Sequence, residues 1–192
     1  MEQREVYAQY DAQTIRVYQA YKPAIALEAL RLQTFGEHFS RSRMTWIKPS
    51  FLWMMYRCGW CEKPDQEMTI ALDLRREAFE ELLRLAVLSH PEDGTDPALW
   101  KQTLATSPVR VQWDPERDPN GEPISRRAIQ MGIRDKALDV FLGGIVRIED
   151  MTPLVRQWNA QRLAGTLDIA ELPQERLYPV TDETVRERLD MR

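Results

Sequence analysis

A chain of 192 residues with 43% apolar and 29% charged side chains has the size and composition of one compact soluble domain, burying about 70% of the surface its unfolded form exposes. A net charge of −4 excludes a global field that draws the protein onto nucleic acid or anionic lipid, and no apolar run approaches the ~20 residues that cross a bilayer. The polar opening MEQREVYAQYD does not read as a signal peptide, and two cysteines without such a signal point to a reducing cytoplasm.

In chain order, residues 1–13 are polar and end on a turn signal at Asp11. Residues 14–21, TIRVYQAY, alternate as a strand: Ile15, Val17, Gln19 and Tyr21 share one face, and Arg16, Tyr18 and Ala20 the other. Gln19 stands out as an amide among apolar neighbours. Pro23 opens a helix that runs to about Gly36, and 36–43 form a polar, basic loop.

Residues 44–61, MTWIKPSFLWMMYRCGWC, are the densest stretch of the chain. They hold Trp46, Trp53 and Trp60, three methionines, both cysteines and a Lys-Pro-Ser step. The run reads as a short buried helix with Pro49 at its first position and Gly59 as its stop. Apolar residues on every side predict cover on every side. Trp53 and Trp60, seven apart, fall on one face if the turn persists.

A turn at 62–66 leads to a strand at 68–74 and a helix at 75–88 with Phe79, Leu82, Leu83 and Ala86 inward. Residues 89–97 read as a loop and 98–105 as a short helix. A strand at 109–114, a long turn DPERDPNGEP and a returning strand at 128–133 suggest a hairpin. A helix at 135–142 stopped by Gly143 and Gly144, a strand at 145–150 and a helix from 152, capped by Thr152 and reaching Gly165, complete the main run. The hairpin argues against a purely parallel sheet, and no GxGxxG or GxxxxGK[ST] follows any strand. The expected fold is a single α+β domain over 1–165 with a mixed or antiparallel split sheet of about five or more strands, and 166–192 packed on it as an extension.

Several motifs carry candidate chemistry. Cys58-Gly-Trp-Cys61 has redox spacing but follows a helix, where the dipole disfavours a thiolate, so it reads as a packed thiol pair. Asp114, Glu116, Asp118, Asn120 and Gly121 resemble the start of a calcium loop, yet Arg127 stands where the bidentate acid belongs, and an acidic turn is expected. His38 and His90 lie in polar loops and read as solvent-exposed. No metal is expected. Glu149 ends an apolar strand with Arg147 on its own face, either as an ion pair or as a carboxylate at the mouth of a cleft. Arg16, Tyr18, Gln19, Tyr21, Trp46, Lys48, Ser50 and Arg57 form the other candidate set, in which cations hold phosphates and aromatics stack on a flat ring.

Four blocks in order, YAQYDAQTIRVYQAY, RMTWIKPSFLWMMYRCGW, SPVRVQWDPERD and IVRIEDMTPLV, resemble the family described as domain of unknown function 4291, over about residues 4–160. Cys58 stands where a small residue such as serine belongs, and Cys61 is outside the pattern. More distantly the chain is similar to the ADP-ribosyltransferase superfamily. That resemblance implies a split sheet whose cleft grips NAD as substrate. A first-strand residue, Tyr18 or Gln19, would hold NAD, an aromatic, Tyr21 or Trp46, would stack on nicotinamide, and Glu149 would act on the ribose. The superfamily's His or Arg signature followed by a Ser-Thr-Ser step is absent here. Three functions therefore stand for comparison: an NAD-using ADP-ribosyl transferase, a non-catalytic nucleotide- or RNA-binding module, and a structural domain in which the tryptophans are only core.

Overall fold

The computed structural model describes residues 3–91 and 95–192; part of the expected loop at 89–97 lies outside the described residues. In chain order the elements are β1 (Gln3–Arg4), β2 (Tyr7–Ala8), β3 (Thr14–Tyr21), α1 (Pro23–Leu32), β4 (Thr45–Ile47), α2 (Phe51–Cys58), β5 (Met68–Arg75), α3 (Arg76–Leu85) and β6 (Ala86–Leu88). There follow α4 (Pro97–Thr106), β7 (Val109–Arg117), β8 (Pro123–Ile133), α5 (Ala137–Gly144), β9 (Ile145–Asp150), α6 (Thr152–Leu163), a 3-10 turn (Ile169–Glu171), β10 (Arg176–Leu177) and α7 (Glu183–Arg188). The α+β class and the split, mixed sheet are as expected.

The sheet is split because its long strand serves several partners. Along one edge β8 pairs antiparallel with β7, and β6 lies parallel beyond β7. Its other edge is shared: β1 pairs parallel at Arg126 and Arg127, and β4 antiparallel at Met131, Gly132 and Ile133. A second, antiparallel sheet has the order β3-β5-β9. One backbone pair joins the two: Tyr18 N–H donates to the Lys48 carbonyl at 2.7 Å and Lys48 N–H to the Tyr18 carbonyl at 3.2 Å. Beyond that pair the strands diverge, and the divergence opens a hollow.

The period-two alternation of β3 and β5 feeds two cores. Ile15, Val17, Ile70, Leu72 and Leu74 enter the main core with Ile47, Val109, Val111, Met131 and Ile133 of the other sheet. Tyr18 and Ala71 enter a second core with α2 and α6, where Phe51 meets Tyr18 edge-on at 5.4 Å and Trp158 at 5.5 Å. The chain after 165 is built into the main core through Tyr178, Val185 and Leu189, and β10 pairs with β2.

Ser50 caps α2: its Oγ accepts from Trp53 N–H at 3.1 Å and donates to the buried Glu116 at 2.8 Å. Phe51 N–H donates to Glu175 of the C-terminal segment at 2.6 Å. Pro49 therefore precedes the cap instead of opening the helix, whereas Gly59 ends it in the left-handed region at φ 60, as expected. Trp53 and Trp60 do not share a face. Three successive positive φ values at Gly59, Trp60 and Cys61 turn Trp60 back onto Phe51, while Trp53 lies under Lys48. Nor is α2 covered all round: Tyr56 is 44% exposed, with the Arg117 guanidinium stacked on it at 3.9 Å.

Other boundaries moved for tertiary reasons. The expected helix at 75–88 stops at Leu85, because Ala86, Val87 and Leu88 gain parallel pairing with Val109, Arg110 and Val111. The long turn shrinks to 118–122, closed by Asp118 Oδ1 accepting from Asn120 and Glu122 N–H groups. Gly143 and Gly144 continue α5 instead of stopping it; a Cβ on Gly144 would lie 2.6 Å from Ala78, so glycine permits the close approach of α3. Thr152 is the first residue of α6 rather than its cap. Asp150 accepts from its N–H at 2.9 Å, and its hydroxyl is occupied by the Thr69 backbone.

Candidate functional site

The hollow at the sheet split has a volume of about 740 Å³, in the range of small-molecule sites. The end of β3, β4, Lys48, α2 and residues 38–44 wall it, with Gln112 of β7 and Gln130 of β8 on its floor. Five residues expected at a binding site meet here: Gln19, Tyr21, Trp46, Lys48 and Arg57.

Gln19 leaves β3 on the main-core face, at the point where that core gives way to the hollow. Its Nε2 is placed by Thr45 Oγ1 at 2.7 Å, Tyr21 Oη at 2.9 Å and the Trp46 carbonyl at 3.1 Å. The Trp46 carbonyl can only accept, which settles which end of the amide is nitrogen. Gln19 Oε1 is then buried with no donor from the described residues. Tyr21 Oη also shares a hydrogen bond with Thr45 at 2.8 Å, and burial pushes its phenol up to about 12, so it stays neutral. Trp46 packs against Gly132 across the β4–β8 pair; a Cβ there would lie 2.8 Å from the indole.

Gln112 and Gln130 sit opposite each other in the β7–β8 register. Asp114 ties both, accepting from their Nε2 atoms at 2.8 and 2.5 Å. The amide ends that Asp114 does not engage are therefore carbonyl oxygens.

Lys48 is 6% exposed, with its ammonium 5.3 Å from the centre of the Trp53 ring. Its Nζ reaches the Trp46 carbonyl at 3.5 Å and, among the described residues, no carboxylate within ion-pairing range. Burial, then the neighbouring Arg57, push the amine down to about 7, against weaker support from Asp114 and Cys58. Arg43 and Arg57 also line the hollow, and neither guanidinium has an ion pair among the described residues. Among the described residues Asp65 is the one carboxylate in its lining. The arrangement suits an anion beside a flat, hydrogen-bonding ring.

Arg16, Tyr18, Ser50 and Glu149 are not in this hollow. Arg16 holds Asp73 through two bonds of 2.8 and 2.9 Å and Glu149 at 2.9 Å, across the β3-β5-β9 register. Arg147 adds a contact to Glu149 at 3.5 Å. Asp73 first, and Glu149 with it, raise the Arg16 pKa. Tyr18 is fully buried, donates to Gln9 at 3.0 Å, and has its phenol pushed up by burial. Arg16, Tyr18 and Glu149 stand on the opposite face of the β3-β5-β9 sheet from Gln19, so the hollow takes in Gln19 and Lys48 but neither Tyr18 nor Glu149.

The other motifs have local work. Cys58 and Cys61 are free, buried thiols that contact Thr69 Oγ1 at 3.8 and 3.1 Å. Asp114, Glu116 and Asp118 serve three separate tasks, as described above, and His38 and His90 are exposed. Among the described residues no group of three or more His, Cys, Asp or Glu side chains could hold a metal ion. A second open hollow of about 850 Å³ lies beyond Gln112, but there Arg4 and Arg192 both pair with Asp190.

Sequence reasoning missed Arg43, Thr45, Gln112 and Gln130. The amides were detectable by the signal that singled out Gln19, an uncharged polar side chain inside an apolar strand. Arg43 left no signal, since it sits in a loop with other basic residues.

Among curated proteins, none matches the chain. A family model does match, over residues 5–178, which reaches past the four blocks and into the C-terminal segment that lies on β2. The chain belongs to the family described as Domain of unknown function (DUF4291).

Proposed function

We propose that the protein binds a nucleotide-type small molecule in the hollow at the sheet split. The observation that carries this reading is that Arg43, Lys48 and Arg57 converge on one cavity without a carboxylate partner among the described residues. Unpaired cations beside an open hollow favour phosphate, and the Trp46 indole with the Gln19, Gln112 and Gln130 amides suits a flat heterocycle. NAD and ADP both carry these features. Transfer of ADP-ribose is the finer reading of the same pocket. It lacks the expected late-strand carboxylate, because Glu149 is held on the other face by Arg16. Binding is therefore the reading the geometry favours.

Calorimetric titration tests it. ADP and NAD are expected to bind with micromolar to low-millimolar affinity, and adenosine at least about tenfold more weakly, because it lacks the phosphates that the cations hold. No heat and no melting shift with either nucleotide at millimolar concentration would overturn the proposal.

A further inference from the structure

Lys48 has a feature that phosphate binding alone does not require. Of the five lysines, Lys22, Lys63, Lys101 and Lys136 are exposed and only Lys48 is buried. An amine can attract anions from a hydrated position and needs no burial to do so. Lys48 instead lies between the Trp53 ring and the cavity, with a single long contact to the Trp46 carbonyl and Arg57 beside it. Desolvation next to a second cation is how a lysine becomes a nucleophile, since both disfavour the ammonium form. The cavity supplies space at the amine, and Arg43 and Arg57 supply a holder for an anionic substituent.

We propose that Lys48 forms a Schiff base with a phosphorylated aldehyde or ketone. The Nζ lone pair attacks the carbonyl carbon, and the C=O π pair becomes a hydroxyl by taking up a proton. The resulting carbinolamine loses that oxygen as water while the C=N bond forms. One amine and one carbonyl give one imine and one water, with no change of oxidation state. Burial and Arg57 keep a large part of Lys48 unprotonated at neutral pH, as the first step needs. The proposal shares the cavity with the nucleotide reading but requires neither a base nor a ribose, so either can fail alone.

Pyridoxal 5'-phosphate is a suitable probe. The intact protein is incubated with it at pH 7.5, any imine is fixed by borohydride hydride transfer, and peptides are mapped by mass spectrometry. The expected result is an adduct on Lys48 at least about tenfold more abundant than on any exposed lysine, suppressed by excess inorganic phosphate. Label spread over Lys22, Lys63, Lys101 and Lys136 with Lys48 unmodified would overturn it. A second measurement compares the phosphorylated probe with pyridoxal itself in Arg57→Gln. The preference of Lys48 for the phosphorylated probe is expected to fall about tenfold, and an unchanged preference would remove the phosphate from the proposal. ADP titration of the same sample reports separately on nucleotide binding.

Discussion

The two faces of β3 show what the same residue types do in different surroundings. On the α6 side Arg16 is paired with two carboxylates: Asp73 takes two of its N–H groups and Glu149 a third. On the cavity side Lys48, Arg43 and Arg57 lack carboxylate partners among the described residues, and a Gln19 oxygen lacks a donor. That pairing ties three strands together and offsets the guanidinium charge. A buried group left short of partners, as Lys48 and Gln19 are, costs folding free energy. A charged residue in a strand is thus no guide to function until its partners are known.

The sharpest way to break the contrast is Arg16→Ala. It leaves Asp73 and Glu149 facing each other at a partly buried site, and a loss of about 2–4 kcal/mol in urea unfolding is expected, with ADP affinity unchanged in the folded protein. Next in size is the double substitution Arg43→Gln, Arg57→Gln. It is expected to weaken ADP binding by about a hundredfold, roughly tenfold per cation, while changing stability by under about 1 kcal/mol, as read by calorimetry and melting.

Lys48→Met sharpens the comparison through pH. The folded amine titrates near 7 against an ordinary 10.5, so above 10.5 both states are neutral and burial of this group costs nothing. As pH falls toward 7 the unfolded chain binds the proton first, and below 7 the penalty is complete. The variant is expected to gain about 1–3 kcal/mol over the parent at pH 6 and progressively less toward pH 10, by denaturant titration. The same sign makes ADP bind more weakly to the parent as pH rises through 7, by up to about tenfold per unit, because phosphate favours the ammonium. Arg57, Asp114 and Cys58 are the neighbours that set the starting point. The smallest effect belongs to Glu149→Gln: a loss of under about 1 kcal/mol and an unchanged ADP Kd, since its carboxylate is a third exposed and faces away from the cavity. A large fall in ADP affinity in this variant would return Glu149 to the site.

Much of the secondary structure was legible because local physics decides it. The alternation in 14–21 and the apolar run at 68–74 specify strands, and Gly59 specifies the end of α2. Short strands were not legible. Residues 45–47 and 86–88 are too brief to show a period, and they are strands only because β8 and β7 offer them hydrogen bonds. Of the candidate site, Gln19, Tyr21, Trp46, Lys48 and Arg57 could be chosen by residue type, while Gln112 and Gln130 carried the same in-strand amide signal as Gln19 but joined the site only once the strands that border the split were known.

By itself the amino-acid sequence determined that Tyr18 and Gln19 face opposite ways, because successive residues of a strand must. It also determined that a polar amide and a lysine would lie amid apolar chain and need partners. Only the tertiary structure decided which face of β3 meets α2 and α6 and which meets the hollow. That choice depends on where β4 leaves β8 and touches β3 at Tyr18 and Lys48, a contact 30 residues apart along the chain and set by packing of both sheets at once. Glu149 went with Arg16, and Lys48 went to the cavity, for that reason.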